Sequence, residues 1–264
     1  MRETVKELYE KYPFYTGWDK EHISTVLSRL KKDLAPLLHK GVKVLDVGCG
    51  SGYFSIPFAL LGADVDAIDI SEANIKIAES KAGEFGVNIS FYNCDFFKFQ
   101  GSGKYDIVWC HGVLHHLDNP HKGFKKIVTF VKDRGYAVLG LYNKKQILTR
   151  VARWGVAKFG GITIDARLKF VKKNWVLFWL MFYPFSRWWK LDNPMIDRIL
   201  VDFFCHVKYT YFTMEEVQKW LNEEGLTYLR PAYDYKCKIW WKCFFYRHHP
   251  YVNEFFTILA RKEK

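Results

Sequence analysis

Three carboxylates and a run of glycines are the residues whose types and spacing point most directly to chemistry. In Val44-Leu-Asp-Val-Gly-Cys-Gly-Ser-Gly52, Asp46 stands two residues ahead of Gly48, and Gly50 and Gly52 follow at alternate positions. A strand has to pass into a helix here while its backbone comes close to a ligand, and glycine permits that approach. The pattern differs from the dinucleotide fingerprint Gly-x-Gly-x-x-Gly, and it lacks the Lys-Ser/Thr of a triphosphate loop. An acid just ahead of the glycines suits an ammonium group better than a pyrophosphate. Asp69 follows about 20 residues beyond the glycines, where a carboxylate can accept from both hydroxyls of a ribose. Asp95, in Asn93-Cys-Asp-Phe96, can accept from an adenine amine, with Ile70 and Phe96 against the ring. The ligand so described is an amino acid joined to a nucleoside. Cys49, inside the glycine run, and His111 complete the residues expected around it.

The groups that could act on a second molecule lie further along. Tyr105-Asp-Ile-Val-Trp-Cys-His-Gly-Val-Leu-His-His-Leu117 contains three histidines, 111, 115 and 116, the side chains most easily titrated near neutrality. Packing at a helix start is the competing reading for them. His111 and His116, with Tyr142 and Asn143, are the candidate catalytic residues. Candidate acceptor-binding residues are Tyr15 and Trp18 near the N-terminus, and Lys144, Arg150 and Arg153 after residue 143. Lys236, Lys238, Trp241 and Arg247 add a second basic and aromatic stretch. No metal site is expected, because the six cysteines include no Cys-x-x-Cys pair and Cys237 and Cys243 are poorly spaced for zinc.

Strands alternating with helices must position these groups. Val42–Val47, Ala63–Asp69, Val87–Tyr92, Tyr105–Cys110 and Gly135–Leu141 read as five strands. Between them come apolar residues at helical spacing over 53–61, 71–81 and 121–131. Ahead of them, Glu21 to His39 has the same spacing. That alternation predicts a parallel sheet with helices on both faces. From Lys144 to about Thr210 the alternation breaks into an insertion of two or three helices. Thr213-Met-Glu-Glu216 is a capping box opening a helix to Glu224, then come strands at Leu226–Tyr233 and Glu254–Ala260. The expected organisation is an N-terminal helical cap (1–40), a cofactor-binding core (41–143), a basic aromatic helical insertion (144–210) and a completion of the sheet (211–264) with a basic loop at 234–250.

Charge separates the halves more sharply than hydropathy does. Residues 1–143 carry 18 Lys and Arg against 17 Asp and Glu; residues 144–264 carry 22 against 11, so nearly all of the +12 excess lies in the second half. Eight of the ten tryptophans lie there as well. A near-neutral half followed by a basic, aromatic half predicts one part holding a small molecule and another meeting something large and anionic. The N-terminus has no apolar signal core. Trp175 to Phe185, the longest apolar stretch, falls short of the roughly 20 residues a membrane span needs. A soluble, cytoplasmic protein with reduced thiols is expected, touching at most a membrane surface.

In the order of its motifs the chain resembles the class I S-adenosylmethionine-dependent methyltransferases, from Val42 to Ala260. The resemblance implies a Rossmann-like, doubly wound, seven-stranded sheet with the last strand antiparallel. It implies that Asp46 contacts the methionine ammonium, that Gly48 and Gly50 lie under the methionine portion, and that Asp69 and Asp95 hold ribose and adenine. The segment after the fourth strand faces the methyl group in that family. In its amino-methylating nucleic-acid enzymes that segment reads Asn/Asp-Pro-Pro-Tyr/Phe, whereas here it reads His111-Gly-Val-Leu114. The basic, aromatic second half favours an RNA base as acceptor. By overall build the guess is ribosomal RNA and a cytidine N4, as in an archaeal-type enzyme. The alternative is a small metabolite or a quinone or lipid methylated at a membrane surface, since the quinone-pathway enzymes share Leu-His-His-Leu segments. The stretch Trp175 to Trp189 would then rest on the membrane.

Overall fold

The computed structural model describes residues 4–14, 20–34, 36–101, 103–182, 194–232 and 255–263. Strands β1 (Lys43–Val47), β2 (Asp64–Asp69), β3 (Ser90–Asn93), β4 (Tyr105–His111), β5 (Val131–Tyr142), β6 (Leu226–Pro231) and β7 (Phe255–Lys262) form one sheet in the order β3-β2-β1-β4-β5-β7-β6. β7 runs antiparallel to both of its neighbours, and the pairs among β1 to β5 are parallel. This is the expected doubly wound, seven-stranded sheet with its last strand reversed.

Both faces of the central strands are buried, so their sequences run nearly continuously apolar instead of alternating with polar residues. Leu45, Val47, Val108, Cys110 and Leu139 face a core completed by α5 (Pro120–Phe130) and α10 (Met214–Glu223). Val44, Ile107, Trp109 and Val138 face the opposite core, built from α2 (Lys20–Leu34), α3 (Ser55–Leu60) and α4 (Glu72–Phe85). The order of strands reverses between β1 and β4, and in such sheets the crevice beyond the carboxyl ends at that point is where ligands bind.

A third core lies outside the sheet. Helices α6 (Ile147–Phe159), α7 (Ile164–Lys173), α8 (Trp175–Phe182) and α9 (Pro194–Leu200), with a π-helical turn at Val201–Cys205, pack around Val156, Leu168, Val171, Phe203 and Phe204. Leu8 of α1 (Val5–Lys11) is fully buried in the same cluster. Among the described residues this region holds four helices and a π turn, where two or three helices were expected. The reason is local: α8 is apolar throughout, so periodicity gives no boundary, and Pro194 restarts the chain at the first position of α9.

Other boundaries moved for equally local reasons. α2 ends at Leu34, five residues short of the expected His39, because Pro36 cannot continue a helix. β3 starts at Ser90, later than expected, because Gly86 takes the left-handed cap of α4 and the Val87 amide donates back to Ala82. β5 begins at Val131, four residues early, through an irregularity in its pairing with β4.

Candidate functional site

The glycine loop is tied to the end of the neighbouring strand by its own backbone. The amides of Gly48 and Cys49 both donate to the Ile68 carbonyl, at 2.8 and 3.0 Å. The Gly50 amide donates to Asp69 Oδ2 at 2.9 Å. The amide of Ser71 (2.9 Å) and Asn74 Nδ2 (3.2 Å) donate to Asp69 Oδ1. Asp69 is thus both a candidate ribose ligand and the clasp that sets the loop. Gly48 has a φ of +72°, and a side chain there would land inside Val113. The β1 and β4 loops therefore meet at a point where only glycine fits.

Asp46 is buried behind this loop and accepts a hydrogen bond from Ser55 Oγ at 2.5 Å. Burial pushes its carboxyl up to about 7, with the Ser55 hydrogen bond opposing and the nearby Asp69 adding to the rise. A carboxylate so held lacks a positive partner. The Ser51 hydroxyl, in the glycine loop, is buried without a hydrogen-bond partner among the described residues. A cation carrying further polar groups fits both observations, as the ammonium and carboxylate of an amino-acid moiety would. Asp95 is half-buried after β3, and its Oδ1 accepts from the Phe97 amide at 2.9 Å. Phe96 is buried and stacks on Phe97 with centroids 4.4 Å apart, while Ile70 is exposed. Cys49 is buried and its thiol is pushed well above the usual range by burial, so it contributes shape and no charge.

At the ends of β4 and β5 the remaining candidates converge. His111 stacks beside Trp109 and tilts against Phe54, and burial pulls its pKa down to about 4. Its ring lies directly over Gly140 of β5, where any side chain would occupy the imidazole's space. His115, on the 3-10 turn Leu114–His116, stacks on Tyr142 at 3.6 Å. His116 stacks on His206 at 3.4 Å. Burial, opposed by the Lys208 carbonyl, brings His116 to about 3. The rings are therefore neutral at pH 7. His116 Nδ1 lies 2.7 Å from the Lys208 carbonyl, and a neutral ring in that contact places its proton on Nδ1 and leaves Nε2 as an acceptor.

Arg153, a candidate acceptor-binding residue from the sequence, enters this cluster from α6 and is buried. Its Nε donates to the Phe203 carbonyl at 2.7 Å. Its guanidinium lies over Tyr142 and Tyr209, 4.3 and 4.4 Å from the ring centroids. The π turn is what aims the Phe203 carbonyl at it, as π-helical turns often serve functional sites. Tyr9, His206, Tyr209 and Phe203 were absent from the sequence reading. They come from α1 and from the end of the insertion, so no local spacing connects them to β4. Gly140 was missed too, and its only signal is a glycine inside a strand.

Other expected residues have different surroundings. Asn143 Oδ1 accepts from the Lys145 amide at 3.0 Å, which caps a turn. Lys144 pairs with Glu216 at 3.5 Å. Arg150 donates to the Lys144 carbonyl at 2.9 Å and lies over the Tyr211 ring. Tyr15, Trp18, Lys236, Lys238, Trp241 and Arg247 lie outside the described residues.

The two ends of the site are joined by α1. Glu10 accepts from the amides of Glu72 and Ala73 at the start of α4, at 2.7 and 3.2 Å. The Phe14 amide donates to Asn74 Oδ1 at 2.8 Å, and its ring sits against Gly50. On the other side Tyr9 donates to Asp202 Oδ1 at 2.8 Å, and Tyr12 donates to Asp165 at 2.7 Å.

A family model described as a methyltransferase domain matches residues 38–177. The ubiquinone biosynthesis O-methyltransferase of Rickettsia felis (strain ATCC VR-1525 / URRWXCal2) is 33% identical over 103 residues, which are 39% of this chain and 42% of that one. The enzyme of the same name from Azotobacter vinelandii (strain DJ / ATCC BAA-1303) is 31% identical over 141 residues, 53% and 55% of the two chains. The matches thus span about half the length of these relatives or less. Among solved structures, magnesium protoporphyrin IX methyltransferase from Synechocystis PCC 6803 with bound SAH superposes with a TM-score of 0.54 at 21% identity. That superposition covers 92% of this chain and 82% of the other, a likeness of fold.

Proposed function

The chain belongs to the methyltransferase domain family, and on that premise we propose that it transfers the methyl group of S-adenosylmethionine to the hydroxyl of a compact aromatic molecule. The observation that carries this reading is the enclosure of the acceptor end. His115, His116, His206, Tyr142 and Arg153 are buried against one another where β4 and β5 end, with Tyr209 half-buried beside them. Rings and one guanidinium suit a flat, lipid-soluble acceptor; a polymer would need an open basic groove. The names of the relatives, which speak of O-methylation in ubiquinone biosynthesis, agree with this choice. The RNA base expected from the basic second half, and the archaeal cytidine N4 guess with it, gain no support from the relatives or from the site. Arg153 is buried, and Lys144 is paired.

The bound cofactor supplies an activated methyl on a sulfonium. Asp46 would hold the cationic amino-acid end, the glycine loop would run beside it, and Asp69 and Asp95 would take ribose and adenine. Neutral His116 accepts the acceptor's hydroxyl proton in a hydrogen bond at Nε2, which orients the oxygen. The Arg153 guanidinium favours the negative charge that develops as the proton leaves. One proton is released to solvent for each methyl transferred. Steady-state rates on a panel of substituted phenols and catechols test the reading. Arg153→Lys keeps the charge but loses the flat, stacked fork, and it should lower kcat at least tenfold. Full activity on RNA with none on any phenol would contradict the proposal.

A further inference from the structure

One face of α6 is left apolar and uncovered. Ile147, Val151 and Trp154 are 67, 53 and 58% exposed, and their spacing of four and three residues lines them along a single stripe with Lys158. Thr149, Ala152, Arg153 and Val156 are buried on the opposite side, against α7 and the π turn. The turn that follows α6 continues the exposed apolar surface with Phe159 and Ile162, 61 and 70% exposed. Soluble surfaces rarely gather large apolar side chains in this way without a partner.

Basic residues border the stripe. Of the nine Lys and Arg in residues 144–173, Arg153 and Arg167 are buried and Lys144 and Lys172 are paired, while the one carboxylate there, Asp165, is engaged by Lys11 and Tyr12. Arg150 borders the stripe on α6. The Lys158 ammonium lies 4.8 Å from the Trp154 ring centroid and 5.5 Å from that of Phe159. A long basic side chain lying over a tryptophan is suited to the boundary between headgroups and acyl chains. No helix among the described residues is long and apolar enough to cross a membrane.

We propose that the exposed face of α6 and the turn after it dock the protein on an anionic phospholipid surface, with Ile147, Val151, Trp154, Phe159 and Ile162 entering the interface and Arg150 and Lys158 meeting the headgroups. Nucleic acid is the other anionic surface to consider. It would use guanidinium groups and stacking rings, and exposed Ile147, Val151 and Ile162 give it nothing to bind. The proposal does not depend on the identity of the methyl acceptor. It complements a lipid-soluble one by placing the acceptor cluster, reached by Arg153 on the inner side of α6, behind the docking face.

Flotation of the full chain with vesicles tests this. The chain should rise with vesicles of phosphatidylglycerol and phosphatidylcholine, and stay behind with phosphatidylcholine alone. Raised salt should weaken the binding without abolishing it. The pair Val151→Asp and Trp154→Glu should reduce the bound fraction at least tenfold while leaving affinity for S-adenosylmethionine unchanged, which shows that the fold persists. Val151→Leu with Trp154→Phe should retain binding. Four results would overturn the proposal: no flotation with either vesicle, equal binding to neutral vesicles, undiminished binding by the acidic pair, or binding of polyuridylate that the acidic pair abolishes while vesicles are ignored.

Discussion

Asp46 is the residue at which burial and charge conflict most openly. Its carboxyl is held up to about 7, against ~3.9 for a free aspartate. The protonated form is therefore favoured in the fold, and that contribution to stability is complete below about pH 4 and lost as pH rises through 7. A cation bound against Asp46 reverses the preference. Affinity for S-adenosylmethionine should therefore rise with pH, by up to about tenfold per unit, and level off above 7. Calorimetric titration from pH 5.5 to 8.5 checks this, and Asp46→Asn should give a weaker and nearly flat profile. Gly140 carries a second expectation at this scale. Gly140→Ala pushes a methyl into the His111 ring, so it should cost about 1–3 kcal/mol and depress kcat, read by thermal melting and initial rates. Gly155→Ala, with open space around its Cβ, should instead stabilise α6 by up to about 1 kcal/mol. The three acids were legible in the sequence because each sits near the carboxyl end of its strand: Asp46 late in β1, Asp69 closing β2 and Asp95 just past β3. Arg153 was legible as a cation but not as a buried one, because burial is decided by the π turn some fifty residues later.

At the scale of elements, the short helix α1 matters more than its length suggests. It caps α4 through Glu10, lays Phe14 on Gly50, and inserts Leu8 into the core of the insertion. Leu8→Ala should therefore destabilise the protein by about 2–5 kcal/mol, measured by denaturant melts. Glu10→Gln should leave the fold intact and weaken cofactor binding several-fold, because the first turn of α4 loses its charged cap. Cofactor affinity unchanged by Glu10→Gln would show that α1 has no hold on the glycine loop. The sheet could be read from the sequence because alternating strands and helices with short connections admit few topologies. The insertion could not: its helices are placed by contacts with α1 and with one another, and the apolar run of α8 has no period to mark its ends.

Across the whole molecule, the division of charge takes on a different meaning from the one composition suggested. The near-neutral first half supplies β1 to β5 and the glycine loop tied to Asp69. The positive second half turns part of its cations inward or pairs them: Arg153 lies under rings, Arg167 donates to the carbonyls of Cys205 and His206, Lys144 and Lys172 face Glu216 and Asp197. A positive total thus coexists with a cluster of rings packed around a buried Arg153, and net charge alone does not select a nucleic-acid partner. Methyl transfer to a small, lipid-soluble acceptor is tested most directly by incubating the purified chain with methyl-labelled S-adenosylmethionine and a whole-cell extract, then partitioning the products between organic solvent and precipitated RNA. Label should enter the organic phase, survive nuclease and disappear with Asp46→Asn; label recovered only in nuclease-sensitive RNA would contradict transfer to such an acceptor.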